Sequence, residues 1–396
     1  MYRSRLILPV IVFAQFCCTS LWFAGNAVMT SLIETFRLTP AALGHLTSAV
    51  QFGFISGTLL FAFLSIADRF SPSKVFFISA IFGAAFNSGV LLPHNSLESL
   101  LLLRFLTGFS LAGIYPVGMK LAADHFEKGL GTSLGYLVGA LVLGTAFPHF
   151  LNIFTSGDLP WKLVMIATSS LAVLGGLLIL LLVPDGPFRS PRLNKDFSAF
   201  WKVFKNPPFR AAAFGYFGHM WELYAYWTFV PVILIAYQKY HFTELPVSLY
   251  SFMIIGTGGL ACVAGGYLSK IAGTKRTAAS TLFLSGCCCL LSPLIFFFAS
   301  ESILLTFLIF WGLVVVADSP LFSTLVAQNS EAESRGTALT IVNSIGFAIT
   351  IFSIQLLNFL LAEISPFYLF LLLSLGPAVG LWSLYRKKLP VSAEKT

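Results

Sequence analysis

A chain of 396 residues that is 57% hydrophobic and only 10% charged has too little polar side chain to face water all round, which excludes a water-soluble globular protein. A mean hydropathy of +0.85 makes hydrocarbon the surrounding medium for most of it. The net charge of +8 calls for no nucleic-acid partner, because its placement along the chain has a simpler cause, given below.

The apolar runs are continuous rather than alternating, so the membrane is crossed by helices and not by a barrel. At roughly 20 residues per crossing, twelve spans are predicted: 6–27, 42–64, 75–92, 98–121, 133–154, 161–183, 209–237, 247–268, 277–298, 302–325, 337–361 and 365–385. The opening "MYRSR" and its apolar run resemble a signal peptide, but the run is long enough to span and is kept as the first helix. Lys and Arg gather on one side: Arg3, Arg5, Arg69, Lys74, Lys128, a cluster from Arg189 to Arg210, Lys270, Lys275, Arg276, Arg335 and Arg386 onward. Arg37, Lys162 and Lys239 face the other. That bias predicts both termini in the cytoplasm of a bacterial inner membrane and accounts for most of the positive charge. Cys17, Cys18, Cys262, Cys287, Cys288 and Cys289 all fall inside spans and read as small apolar residues. No zinc spacing surrounds them, and neither a metal nor a cofactor is expected.

The one long polar stretch, 184–208, is rich in Pro and Lys/Arg and reads as a linker between a six-helix unit at 1–183 and another at 209–396. Within it, "FSAFWKVFK" (197–205) reads as a short interfacial amphipathic helix. The two units look alike. Gly108, Pro116 and "GTSL" in the first match Gly312, Pro320 and "GTAL" in the second, with a Gly-to-Pro spacing of eight in both. The basic turns "ADRFSPSK" (67–74) and "SKIAGTKR" (269–276) recur at a similar offset. Such duplication is how several transporter folds are built.

Ionisable groups at mid-bilayer cost from about 2.5 to well over 10 kcal/mol, so those that persist face a cavity or a partner. His219 and Glu222 are three residues apart on the seventh span and share a face, which also takes in Tyr216 and Tyr226. A His–Glu pair there can share a proton and meet substrate; the plainer alternative is a structural pair fixing the helix. Arg104 offers a guanidinium fork suited to a carboxylate, with Tyr115 on its face, or else snorkels to the interface. Lys120 either attracts an anionic substrate or pairs with Asp124 four residues on. Asp318, just before Pro320, is a proton site at a gating bend or the neutraliser of an Arg or Lys on another helix; Pro116 marks a second bend. Trp22, Phe23, Trp221, Tyr224, Trp227 and Trp311 are candidate cavity aromatics, with Gln15, Asn26 and Gln51 as further polar lining.

These residues resemble the major facilitator superfamily over the whole chain. Asp68, Arg69 and Lys74 match the loop motif after its second helix, although Leu64 and Ser71 stand where glycines are usual. Arg104 with Gly108 resembles the fourth-helix Arg-x-x-x-Gly motif. The Gly-Pro pattern of drug/proton antiporters is missing from "GYLVGALVLG". "YPVGMKLAADHF", "GHMWELYA" and "VVADSP" are similar to a bacterial branch grouped with nitrate, nitrite and cyanate permeases, but the second and eighth spans lack the arginines of a nitrate carrier. The resemblance implies alternating access between two halves, a coupling or anion role for Arg104, and a gating role for Asp68 against the start of the eleventh helix near Ser334–Gly336.

With no GxxxxGK[ST] loop the driving force is an ion gradient, taken to be protons. The expectation is therefore a monomeric, proton-coupled transporter of a small polar, anionic organic solute. Its substrate residues are Trp22, Arg104, Tyr115, Lys120, Tyr216, His219, Trp221, Glu222 and Tyr226. Its proton residues are His219, Glu222 and Asp318, and its gating residues are Asp68, Arg69, Pro116 and Pro320. The alternatives are proton-driven export of an amphipathic compound and a non-transporting membrane receptor. An enzyme is not expected, since no nucleophile with a matched base is visible.

Overall fold

The computed structural model describes residues 2–126, 130–154, 160–189, 204–331 and 335–386. Among them twelve helical crossings follow one another: α1 (Tyr2–Thr19), α2 (Ala42–Phe63), α3 (Pro72–Gly89), α4 (Leu97–Leu111 and Tyr115–His125), α5 (Leu130–Ile153), α6 (Pro160–Leu182), α7 (Pro207–His241), α8 (Val247–Gly256 and Gly258–Ala272), α9 (Thr274–Phe298), α10 (Glu301–Ala317 and Ser319–Gln328), α11 (Arg335–Leu360) and α12 (Pro366–Ser374 and Leu375–Tyr385). Ten of these are long and apolar enough to cross a membrane by length and composition. Most of the linker and of the expected helix at 197–205 lies outside the described residues. The bundle end that carries Tyr2 and Arg386 is called proximal below, and the opposite end distal.

The spans differ from expectation in their continuity. α1 stops at Thr19, turns over 20–23, and resumes as Ala24–Ala27 and Met29–Phe36. α4 and α10 each break in the middle and restart with a proline in the first turn, Pro116 and Pro320. Proline is tolerated there because a first-turn residue has no carbonyl to donate to. α12 begins as a tighter 3-10 turn over Pro366–Ser374 before becoming α-helical.

The helices pack in two groups. In the first, α2 lies on α4, α3 on α6, and α1 on α5 and α6; in the second, α7 lies on α11 and α12, α8 on α10, and α9 on α10 and α12. Two seams join the groups, α2 against α11 and α5 against α8. Without a hydrophobic drive between helices in lipid, close backbone packing decides such contacts. A Cβ on Gly53 would sit 1.9 Å from Phe105 O, and one on Gly108 would sit 2.0 Å from Val50 O. The second group repeats the device: a Cβ on Gly312 would sit 2.1 Å from Ile254 O. The glycines matched in sequence thus do the same work in α4 on α2 and in α10 on α8.

Candidate functional site

A cage of rings fills the space between the groups towards the distal end. Trp22 on α1 lies 5.8 Å from Tyr224 on α7 and 5.7 Å from Phe347 on α11; Phe54 on α2 lies 4.6 Å from Phe347. Phe23 adds contacts with Tyr224 and Trp227 at 6.4 and 6.2 Å. These five ring pairs all cross between the groups, and each such pair is worth about 0.5–1.5 kcal/mol beyond its burial. Trp22 Nε1 donates to Gln51 Oε1 at 3.2 Å.

On the proximal side of this cage the lining becomes more polar. Tyr115, at the restart of α4, lies near enough to Tyr216 and Tyr224 for their hydroxyls to interact electrostatically. Gln15 is wholly buried on α1 beside Gly118, where a Cβ would meet its Oε1 at 2.2 Å. Both amide atoms of Gln15, together with Gln51 Nε2 and Trp227 Nε1, have no hydrogen-bond partner among the described residues. Buried amide and indole groups are normally paired, so these atoms stand out beside the cage. Of the sequence-predicted cavity residues, the structure brings together Trp22, Tyr115 and Tyr216, with Gln15 and Gln51. Phe54 and Phe347 were not singled out, since a phenylalanine in a chain with 41 Phe carries no positional signal of its own.

Behind that wall, His219, Glu222 and Asp318 form a polar nest inside the second group, all with no exposed surface. His219 does not pair with Glu222 as predicted. Its Nδ1 lies 2.9 Å from Asp318 Oδ1, across from α7 to the break in α10. Glu222 Oε2 instead receives Cys289 Sγ–H from α9 at 3.6 Å, and Ser285, which accepts from Trp311 Nε1 at 3.0 Å, reaches the same carboxyl group. Glu222 and Asp318 are near enough to repel when both are charged. Glu222 Oε1, His219 Nε2 and both Asp318 oxygens have no well-aligned hydrogen-bond partner among the described residues. The partner of Asp318 is thus His219 rather than the Arg or Lys of the plainer alternative.

The stripe on α7 is therefore turned about its axis from the predicted setting. His219, Glu222 and Tyr226 face α9 and α10, while Tyr216, Met220 and Tyr224 face α11 and the cage. Tyr226 is corrected from a substrate contact to a core residue: its hydroxyl donates to Leu308 O at 2.8 Å, and its ring lies 4.7 Å from Trp311. Trp221 likewise points away from the cavity, donating to Leu372 O on α12 at 3.1 Å.

Arg104 is 2% exposed and neither snorkels nor faces the cavity. Its terminal nitrogens donate to Leu21 O, twice at 3.2 Å, to Trp22 O at 2.5 Å and to Asn87 Oδ1 at 3.2 Å. Asn87 is held in turn by Thr168 and Ser169 of α6. The guanidinium thus satisfies the carbonyls that the turn in α1 leaves unpaired, a need absolute in hydrocarbon. Lys120 is also committed, to Asp68 at 3.1 Å and Asp124 at 3.3 Å. This clamps the proximal end of α4 to the turn after α2. Arg189, at the start of the linker, reinforces it by donating to Asp68 O and Phe70 O and pairing with Asp185. Arg69 is exposed. Ser334, one expected partner of Asp68, lies outside the described residues. No group of three or more His, Cys, Asp or Glu that could hold a metal occurs among the described residues.

The family description Major Facilitator Superfamily matches residues 11–354. The chain belongs to this superfamily. It is a multi-pass membrane transporter. Among curated relatives, the multidrug transporter MdfA of Edwardsiella ictaluri is 24% identical over 71% of this chain and 72% of its own. The niacin transporter NiaP of Acinetobacter baylyi is 31% identical over 31% of this chain and 30% of its own. Among solved structures, the proton:xylose symporter XylE superposes with a TM-score of 0.74 at 13% identity, covering 96% of this chain and 95% of that one. The human organic anion transporter MFSD10 gives 0.72 at 15%, covering 96% and 99%. At these identities the likeness is one of fold.

Proposed function

We propose that this transporter moves a small amphipathic molecule with an aromatic ring, bound between the two helix groups, and couples it to protons through His219, Asp318 and Glu222. The observation that carries the cargo class is the ring cage around Trp22, Tyr224 and Phe347 with the unpartnered amides of Gln15 and Gln51 beside it. Flat rings stack there, and one or two polar atoms meet the amides, as in apolar pockets with few placed polar groups. This reading moves cargo recognition from Arg104 and Lys120 to the rings and amides, because both cations are engaged within the protein. Relatives named for multidrug and for niacin transport fit a ring-bearing cargo.

Proton coupling is supported by the nest behind the cavity. An imidazole and two carboxyl groups sit inside the helix group, and none of their polar partners among the described residues is a Lys or Arg. Isolated charges are costly there, so the number of protons held is tied to how α7, α9 and α10 pack. Pro320 and Asp318 sit at the break in α10, so repacking there bends the helix next to the cavity. The distal seams are closed, and we read this state as open towards the proximal side, with that side cytoplasmic.

The test is flux in proteoliposomes with niacin, nicotinamide and an aromatic cation, each with and without an imposed pH gradient. Accumulation of at least one that collapses with the gradient, and falls in Trp22→Ala, is expected. Uptake of a small organic anion that depends on Arg104 or Lys120, with none of the ring compounds moved, would sink the cargo reading.

A further inference from the structure

The distal end of the bundle is closed by three neutral amide side chains. On α11, Gln355 Nε2 donates to Gly44 O at 3.0 Å and to Ser48 Oγ at 2.8 Å, both on α2; Asn358 Nδ2 donates to Ala41 O at 3.1 Å. On the other seam, Asn152 of α5 donates to Ser248 Oγ of α8 at 2.9 Å and to Ala27 O beyond the turn in α1 at 3.0 Å. The first seam is fitted around a glycine: a Cβ on Gly44 would lie 2.4 to 2.7 Å from Asn358 side-chain atoms.

We propose that Gln355, Asn358 and Asn152 are an amide latch that holds the distal face shut and must be released in every transport cycle. Three features single it out. Four of its five bonds run from one helix group to the other, so these four cannot survive separation of the groups. Gly44 O lies within α2 and Ala41 O already accepts from His45 N, so opening leaves neither carbonyl without a partner. All its groups are neutral, so its strength does not vary with ionic strength or with pH over the physiological range. Ion pairs at the same place would respond to both.

A division of labour follows. Proton occupancy acts on the second helix group at the nest, while the latch sets a fixed bias towards the distally closed state that cargo and protons must overcome. The latch rests on the alternating-access part of the proposed function and not on the cargo.

The test reads distance rather than transport. Nitroxides are placed at Glu34→Cys and Glu363→Cys, exposed on the distal side of the two groups, with Cys287 replaced by Ser because the other five cysteines are buried. Pulsed electron resonance on the full chain in nanodiscs then gives the distal separation. Removing both Gln355 bonds in Gln355→Leu is expected to raise the long-distance population on the order of tenfold. Gly44→Ala, which keeps every donor but wedges Asn358 away, shifts it the same way. Gln355→Glu gives the decisive readout: a carboxylate repels Gly44 O but a protonated acid donates to it, so the distribution gains a pH dependence beyond the one the nest gives the parent, and Gln355→Leu does not. Unchanged distances in Gln355→Leu and Gly44→Ala, or a parent distribution that widens with salt, would overturn the latch. If distances shift but no probe is transported, the cargo reading fails and the latch stands.

Discussion

Arg104 and Asp318 carry the two sharpest predictions at the level of single side chains. Arg104→Ala leaves Leu21 O, Trp22 O and Asn87 Oδ1 without their donor in hydrocarbon. A loss of about 3 kcal/mol is expected, from hydrogen bonds to a charged group, seen as a lowered melting temperature in detergent. Arg104→Lys does not restore it, because an ammonium cannot span two carbonyls and an amide at once. Asp318→Asn keeps the volume at the break in α10 but removes a titrating group. Gradient-driven accumulation is expected to vanish while exchange of labelled for unlabelled cargo continues; full accumulation in this variant would remove Asp318 from coupling. These residues were legible in the sequence as costly groups in oil, but their partners were not. Arg104 is matched to backbone carbonyls, which leave no mark in a sequence. His219 and Glu222 share a face by helical spacing, yet spacing cannot tell a cavity from the interior of a helix group, since both are shielded from lipid.

Among the helices, the glycine contacts decide how closely α4 can lie on α2 and α10 on α8. Gly108→Ala and Gly312→Ala force a methyl to 2.0 and 2.1 Å from a backbone carbonyl oxygen, far inside van der Waals contact. Both are expected to abolish folded protein on size-exclusion chromatography, whereas Gly266→Ala, which meets nothing nearby, is expected to behave as the parent. The spans themselves were readable because lipid imposes a length and forbids unpaired backbone. Their breaks were read at Pro116 and Pro320 and missed in α1. There no proline or glycine interrupts 20–23, and the turn persists because Arg104, more than 80 residues later, binds its carbonyls. Local sequence cannot announce a turn stabilised from another helix.

For the whole molecule, the internal repeat forecast from Gly108 with Pro116 and Gly312 with Pro320 has a physical counterpart in equivalent helix contacts and equivalent breaks. The groups nonetheless differ in what fills them. The first is tied by Arg104 and Asn87, and the second contains the His219–Asp318–Glu222 nest. Conformational change driven by protons is therefore expected to start in α7, α9 and α10. Hydrogen exchange measured at acid and neutral pH should differ most in those helices; equal change in α1 to α6 would contradict this.

The ring cage has a use as an optical gauge. Trp22 and Trp227 are each 1% exposed and wedged between the two helix groups, so their indoles record whether the groups touch. Separation lets water reach them and moves their emission to the red, while Trp311, sealed inside one group, stays dark to the motion. The protein's own fluorescence can thus follow its alternation in real time, with no label attached.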